Sequence, residues 1–321
     1  MQKTPHVIVV LGTGGTIAGL AADPTEHLRY RSAQLGVGEL VAGAPLPHGR
    51  VLEAEQVAQL DSKDMDFATW RRLAQRIAHH VARAEVAGIV VTYGTDTLEE
   101  TAYFLSRVVA STKPVVLTGA MRPASALEAD GPRNLGDAIA VAGKGGPAGV
   151  TVVFAGEIHA ARDVRKVHPW RLDAFSSGER GVLGRVEDGE IRMHRGGAAA
   201  GPTIGLEALP GDARAWPWVE IVTSGAGVDG RVVDLLVADG VDGIVVAATG
   251  NGTVHERLAA ALDAAARNSV AVLCSSRCLD GVVAGGEAGA IPSAGDLTPV
   301  KARIELMLDL LSVARGSAPV G

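Results

Sequence analysis

Val7-Ile8-Val9-Val10-Leu11-Gly12-Thr13-Gly14-Gly15-Thr16 reads as a strand running directly into a glycine-rich turn. No polar residue alternates in Val7 to Leu11, so the strand is expected to be buried on both faces, as in a parallel sheet covered by helices. The glycines allow unusual backbone angles and close approach of a ligand. Working outward, residues 88–92 (GIVVT) and 114–118 (PVVLT) read as further strands. Residues 64–85 read as a helix with Trp70, Leu73, Ile77 and Val81 on one face, and residues 97–109 and 133–142 as two more. This alternation predicts an α/β fold with a mostly parallel sheet, whose ligand would bind beyond the carboxyl ends of the strands.

The composition changes at residues 196–216, a stretch rich in Gly, Ala and Pro with no clear period. It is read as an interdomain connection between a first α/β domain at 1–195 and a second, smaller α/β domain at 217–321. In the second domain, residues 219–223, 243–247 and 270–273 are expected strands. Residues 229–238, 254–267 and 298–313 are expected helices, the last with Val300, Ile304, Met307, Leu308 and Leu311 as its apolar face. No internal repeat of fixed period is present.

The 321 residues suffice for one large or two medium domains with real cores. A net charge of −6 argues against a nucleic-acid surface. The basic cluster from Arg162 to Arg171 reads on its own as a solvated loop. Cys274 and Cys278 cannot form a disulfide framework, and their spacing is a poor metal signature, so both are expected as buried core thiols and no metal or other cofactor is expected. No signal peptide is visible, and no stretch approaches the roughly 20 apolar residues of a membrane span. The expectation is a cytoplasmic protein with no membrane or nucleic-acid partner.

Three polar motifs follow strands. The first, Gly12 to Gly19, could cradle a dinucleotide or be purely structural. Its glycines do not fit the register of G-x-G-x-x-G, and only Glu53 and Glu55 approach the place of an acidic ribose partner. The hydroxyls of Thr13 and Thr16 on a tightly pinned backbone add a chemical reading. In the second, Tyr93-Gly94-Thr95-Asp96-Thr97, Asp96 or Thr97 suits a helix N-cap, and Glu99 and Glu100 suit the positive end of the helix dipole. That accounts for one polar residue and leaves Thr95 and Asp96 together at the ligand end of a sheet. The third holds Lys166, a surface charge unless it is partly buried against Asp96 and Thr95, where it could activate a hydroxyl or a water.

Together and in this order, TGGTIAG (13–19), DSKDM (61–65), YGTDTLEETAYFL (93–105), GAMRP (119–123), ADGPRNL (129–135), RDVRK (162–166), GNG (250–252) and LTPVKAR (297–303) resemble the bacterial-type L-asparaginase family, which includes glutaminase-asparaginases. The resemblance covers nearly the whole chain. It implies a larger N-terminal flavodoxin-like domain and a smaller C-terminal α/β domain. It also implies a homodimer or homotetramer with sites at the subunit interface.

By this resemblance Thr16 is the primary nucleophile and Tyr30 hydrogen-bonds it. Thr95 is the second catalytic threonine, with Lys166 as its basic partner. Asp96 pairs with the substrate α-ammonium, Ser62 contacts the α-carboxylate, and the Ala120 carbonyl accepts from the leaving amide. Gly94 and Lys63 fall in the same substrate region, although a lysine facing an ammonium would repel it. Asn251 and Glu287 are the expected partner-subunit contacts, and residues 18–29 an expected lid. The implied activity is hydrolysis of L-asparagine through a β-aspartyl-enzyme, with a weaker glutaminase activity. The rivals are an asparaginase-like subunit of a tRNA-dependent amidotransferase, which the acidic charge disfavours, and a non-catalytic amino-acid-binding protein, which has no need of Thr16, Thr95 and Lys166 together.

Overall fold

The computed structural model describes residues 6–26, 28–196, 203–284 and 291–316. The chain divides into two compact units, residues 1–206 and 207–321. The first is built on a sheet that, among the described residues, has eight strands. In chain order these include β1 (Val7–Gly14), with the short pair β2 (Leu20–Ala21) and β3 (Tyr30–Arg31) outside the sheet, then β4 (Val51–Leu60), β5 (Val86–Thr92), β6 (Pro114–Thr118) and β7 (Gly149–Phe154). β8 (Glu157–Ala160) follows, then a second short pair outside the sheet, β9 (Arg165–Lys166) and β10 (Phe175–Ser176), and finally β11 (Gly184–Glu187) and β12 (Glu190–Met193).

The spatial order is β12-β11-β8-β7-β6-β5-β1-β4. The strands from β4 to β7 run parallel, whereas β8, β11 and β12 add an antiparallel extension that the sequence reading did not anticipate. Taken in chain order, the parallel strands stand 2-1-3-4-5, the flavodoxin-like arrangement. Its switch point, where strand placement reverses, lies between the first and third strands, here β1 and β5.

The helices of this unit are α1 (Val37–Val41), α2 (Phe67–Ala82), α3 (Leu98–Val108) and α4 (Gly131–Gly143). α4 packs Leu135, Ala138 and Ile139 on a core that holds Ile8, Val10, Val90 and Val116. Their alternates Val9, Leu11, Ile89 and Val91 are equally buried, so both faces of the central strands are covered, as the unbroken apolar runs require. The backbone of α4 comes so close to β5 that a Cβ on Gly88 would lie 2.3 Å from the Ala142 carbonyl oxygen. Trp70 of α2 stacks on Phe104 of α3, with ring centroids 4.6 Å apart.

The second unit has a parallel sheet of order β13-β14-β15, from Val219–Thr223, Gly243–Ala248 and Ala271–Ser276. Helices α5 (Arg231–Ala238), α6 (Glu256–Arg267) and α7 (Pro299–Gly316) accompany it. Ile304, Met307, Leu308 and Leu311 of α7 are buried as their spacing predicts. Cys274 is buried, but Cys278 is exposed: it follows the end of β15, beyond the apolar run that suggested a core thiol.

Candidate active site

Neighbouring strands β4, β1 and β5 each deliver one motif at their carboxyl ends, and register brings the motifs together. Gly12 of β1 pairs with Thr92 of β5, and Gly14 pairs with Leu60 of β4. Thr13 is structural: its buried hydroxyl donates to the Thr92 carbonyl at 2.8 Å, tying the two strands just before they end. Gly14 and Gly15 take positive φ angles of 102° and 79°, which turn the chain out of the sheet and set Thr16 at the start of a short 3-10 turn. Gly15 is pinned through both of its backbone groups. Gly15 N–H donates to the Leu60 carbonyl at 3.0 Å, and Ala33 N–H donates to the Gly15 carbonyl at 3.1 Å.

Gly15 must also lack a side chain, since a Cβ there would fall 2.4 Å from the Cα of Gly94. Gly94 in turn packs on Ser62, and its own Cβ would fall 2.5 Å from the Ser62 hydroxyl. Three motifs distant in sequence thus meet, Gly15 and Gly94 through backbone and Gly94 against the Ser62 side chain.

Thr16 is buried, and its hydroxyl lies 2.7 Å from that of Tyr30. Tyr30 reaches it because the β2–β3 hairpin folds back, pairing Ala21 with Tyr30. That hairpin occupies much of the expected lid. It is tied down by Ala21 N–H donating to Ser125 Oγ at 2.8 Å and Ala124 N–H donating to the Gly19 carbonyl at 2.9 Å.

Lys166 is not a surface charge. Its side chain is 18% exposed, and Nζ donates to Thr95 Oγ1 at 2.9 Å and Asp96 Oδ1 at 2.7 Å. Asp96 keeps 55% of its side chain exposed, so this carboxylate holds the ammonium at one edge while facing solvent. The backbone N–H of Lys166 donates to Glu99. Upstream, buried Asp163 pairs with Arg195 at 2.8 Å and Arg180 at 3.6 Å, anchoring the loop that carries the lysine.

Ser62 is buried, and its Oγ accepts from the Asp96 N–H at 3.2 Å. Lys63 is exposed and pairs with exposed Asp64 at 2.7 Å and part-buried Asp61 at 3.4 Å, and these carboxylates raise its pKa. Its charge is thereby compensated locally. Ala120 is fully buried in the loop after β6. In the second unit both ends of the Asn251 amide engage Ala284: Nδ2 donates to its carbonyl at 2.7 Å, and Oδ1 accepts its N–H at 2.8 Å. Glu287 lies outside the described residues.

Sequence reasoning missed several supports. Glu99 was read only as a dipole partner. Thr97 is the N-cap of α3 by position, but its hydroxyl makes no cap bond and donates instead to the Ser62 carbonyl at 2.8 Å. Asp130 accepts from Met121 N–H at 2.9 Å, Arg122 N–H at 3.0 Å and Asn134 Nδ2 at 3.2 Å, fastening the loop that contains Ala120. Burial raises its pKa against these hydrogen bonds. The stretch ADGPRNL was visible in the sequence, but nothing in it said which loop Asp130 would hold.

The family pattern described as asparaginase, N-terminal, matches residues 7–198, and that described as glutaminase/asparaginase C-terminal domain matches residues 218–315. The chain belongs to the asparaginase family. Among members of that family, it is 37% identical over 316 residues to L-asparaginase 2 of Bacillus subtilis, covering 94% of this chain and 82% of that one. It is also 37% identical over 316 residues to the glutaminase-asparaginase of Pseudomonas fluorescens, with 94% and 86% covered. The crystal structure of a probable cytoplasmic L-asparaginase from Campylobacter jejuni superposes with a TM-score of 0.87 at 36% identity, over 95% of each chain. That agreement extends the family assignment to the two-unit α/β fold.

Proposed function

We propose that this asparaginase-family protein hydrolyses L-asparagine to L-aspartate and ammonia, with weaker action on glutamine. The observation that carries the reading is the pairing of two threonine hydroxyls with different partners at one switch point: Thr16 with Tyr30, and Thr95 with Lys166. An unassisted hydroxyl is a weak nucleophile and an amide a poor electrophile, so each half of the reaction needs such assistance.

In the first half, Thr16 Oγ1 attacks the side-chain carbonyl carbon, and Tyr30 relays the hydroxyl proton towards the departing nitrogen. Backbone N–H groups near Thr16 and Thr95 receive the oxyanion. The C–N bond breaks, ammonia leaves, and a β-aspartyl ester remains on Thr16. In the second half, Thr95, held by Lys166, positions a water that attacks the ester; the water's proton returns to Thr16 as aspartate departs. Asp96 faces the substrate α-ammonium, Ser62 the α-carboxylate, and the Ala120 carbonyl the leaving amide. The β2–β3 hairpin serves as the lid that excludes bulk water.

The same reading includes a homodimer or homotetramer whose partner subunit completes each site through Asn251 and Glu287, with the domains divided at residues 196–216. It places the protein in the cytoplasm, the compartment named for the Campylobacter relative. Among the described residues no helix is long and apolar enough to cross a membrane. Ammonia release with asparagine, with glutamine and without substrate tests the activity. Near-wild-type release by Thr16→Ala would reject Thr16 as the nucleophile. Light scattering reads the oligomer directly.

A further inference from the structure

A line of hydroxyls runs behind the site. The Trp70 indole N–H donates to Thr101 Oγ1 at 2.7 Å, and the Thr101 hydroxyl donates to the Tyr93 phenol at 2.6 Å. The Tyr93 and Thr97 oxygens lie 3.2 Å apart, and the Thr97 hydroxyl donates to the Ser62 carbonyl at 2.8 Å. The ends fix its direction, because an indole N–H only donates and a carbonyl only accepts. The single protons of Thr101 and Thr97 are committed to Tyr93 and Ser62. The Tyr93 proton therefore points at Thr97. Every hydroxyl donates once and accepts once, all in one sense, so each bond polarises the next.

Tyr93 is fully buried, and burial pushes its phenol up to about 12, which keeps it protonated and donating at neutral pH. The line ends on the residue that forms one wall of the site. Ser62 is gripped at its carbonyl by the Thr97 hydroxyl and by the Met65 N–H at 3.2 Å, and at its hydroxyl by the Asp96 N–H, so the Thr97 bond is the side-chain contact that orients the carbonyl. Neither Tyr93 nor Thr97 is needed to hold α3 by a cap bond, since none is made there.

We propose that Tyr93 is a positioning residue which, through Thr97, sets the placement of Ser62 and so the affinity for the substrate's α-carboxylate. This rests on the proposed role of Ser62 in binding that group. Tyr93 touches no reacting atom, and its effect falls on substrate binding rather than on bond breaking.

The test is steady-state kinetics with asparagine, plus calorimetric binding of aspartate, for Tyr93→Phe, Thr97→Val and the double variant. Each single variant is expected to raise KM and weaken aspartate binding on the order of 5-fold, the size of one lost hydrogen bond, with kcat within about twofold. The double variant should be no worse than the poorer single one, because both break one line. Should Tyr93→Phe fold poorly, Thr97→Val carries the test, as its side chain is only partly buried. An unchanged KM and aspartate affinity in Thr97→Val would overturn the proposal. So would a loss confined to kcat, or additive effects in the double variant. A wild-type protein that released no ammonia from asparagine would instead sink the functional reading, and aspartate calorimetry would still report on the line to Ser62.

Discussion

The Tyr30 hydroxyl stands 2.7 Å from that of Thr16, and the ring behind it packs where a Cβ on Gly19 would be 2.9 Å from its Cδ2. The contact is thus held by shape as well as by the hydrogen bond. Tyr30→Phe keeps the ring and removes only the oxygen. It is expected to lower kcat on the order of 100-fold with KM little changed, the range of a lost proton-transfer partner. Stopped-flow measurement of the first ammonia burst should show slowed acylation; a normal burst would place Tyr30 outside this step.

Lys166 joins Thr95 and Asp96 through one ammonium. Lys166→Met keeps the stem and deletes the charge. Turnover is expected to fall at least about 100-fold, while thermal stability falls little because Asp96 remains over half exposed to water. Wild-type turnover in this variant would return the lysine to a surface role.

Gly15 and Gly94 touch, yet substitutions there should differ. Gly15 combines a φ of 79° with a contact 2.4 Å from backbone, so Gly15→Ala should cost about 2 kcal/mol or more and abolish activity. A Cβ on Gly94 meets the Ser62 side chain, so Gly94→Ala should chiefly raise KM. Urea unfolding beside kinetics separates the two, and equal stability losses would contradict this account.

Asp130 satisfies two backbone N–H groups and the Asn134 amide from a largely buried position. Asp130→Ala takes this acceptor from the Met121 and Arg122 N–H groups, while the Asn134 amide keeps the Gly119 carbonyl at 3.0 Å, at a cost of about 2–4 kcal/mol. Because the fastened loop carries Ala120, kcat should fall as well. Stability loss without a kinetic effect would detach that loop from the chemistry.

Folding keeps the Tyr93 proton up to about pH 12, whereas an unfolded tyrosine releases it near pH 10. Between these values the unfolded state binds fewer protons. The contribution of this group is therefore whole below pH 10 and is lost as pH rises towards 12, by about 1 kcal/mol per pH unit. Urea midpoints at pH 9, 10 and 11 should fall more steeply for the wild type than for Tyr93→Phe. Parallel slopes would show that other groups govern alkaline unfolding.

The parts of the fold legible in the sequence were those buried on both faces. β1, β5 and β6 are unbroken apolar runs, and their edges were read to within a few residues. β4 escaped because it is an edge strand whose Glu53 and Glu55 bind Arg83 and Arg76, at 2.7 and 2.5 Å, so its sequence carries charges where a core strand carries valine. β8, β11 and β12 are four residues each, too short to establish a period. At the site, the candidate groups Thr16, Thr95 and Asp96 were legible because they stand in glycine-containing turns after strands, whereas Lys166, which read on its own as a surface charge, was singled out by the family resemblance. Their supports were not. Nothing local in Glu99 or Asp130 reveals partners that only folding brings near, and Thr97 looks like a cap until its hydroxyl is seen on Ser62.

The register that sets Gly12 beside Thr92 joins segments 80 positions apart in the chain. Such pairing forms late, since closing a long loop costs entropy before any contact offsets it. Gly15 and Gly94, and with them the two threonine motifs, therefore meet only when the central sheet closes, and a chain with its helices formed but β1 unpaired is expected to be inert. In refolding, activity should return after helical ellipticity and together with burial of Thr16. Completion of the sheet is thus a precondition of catalysis, to which subunit assembly adds a second in the proposed oligomer.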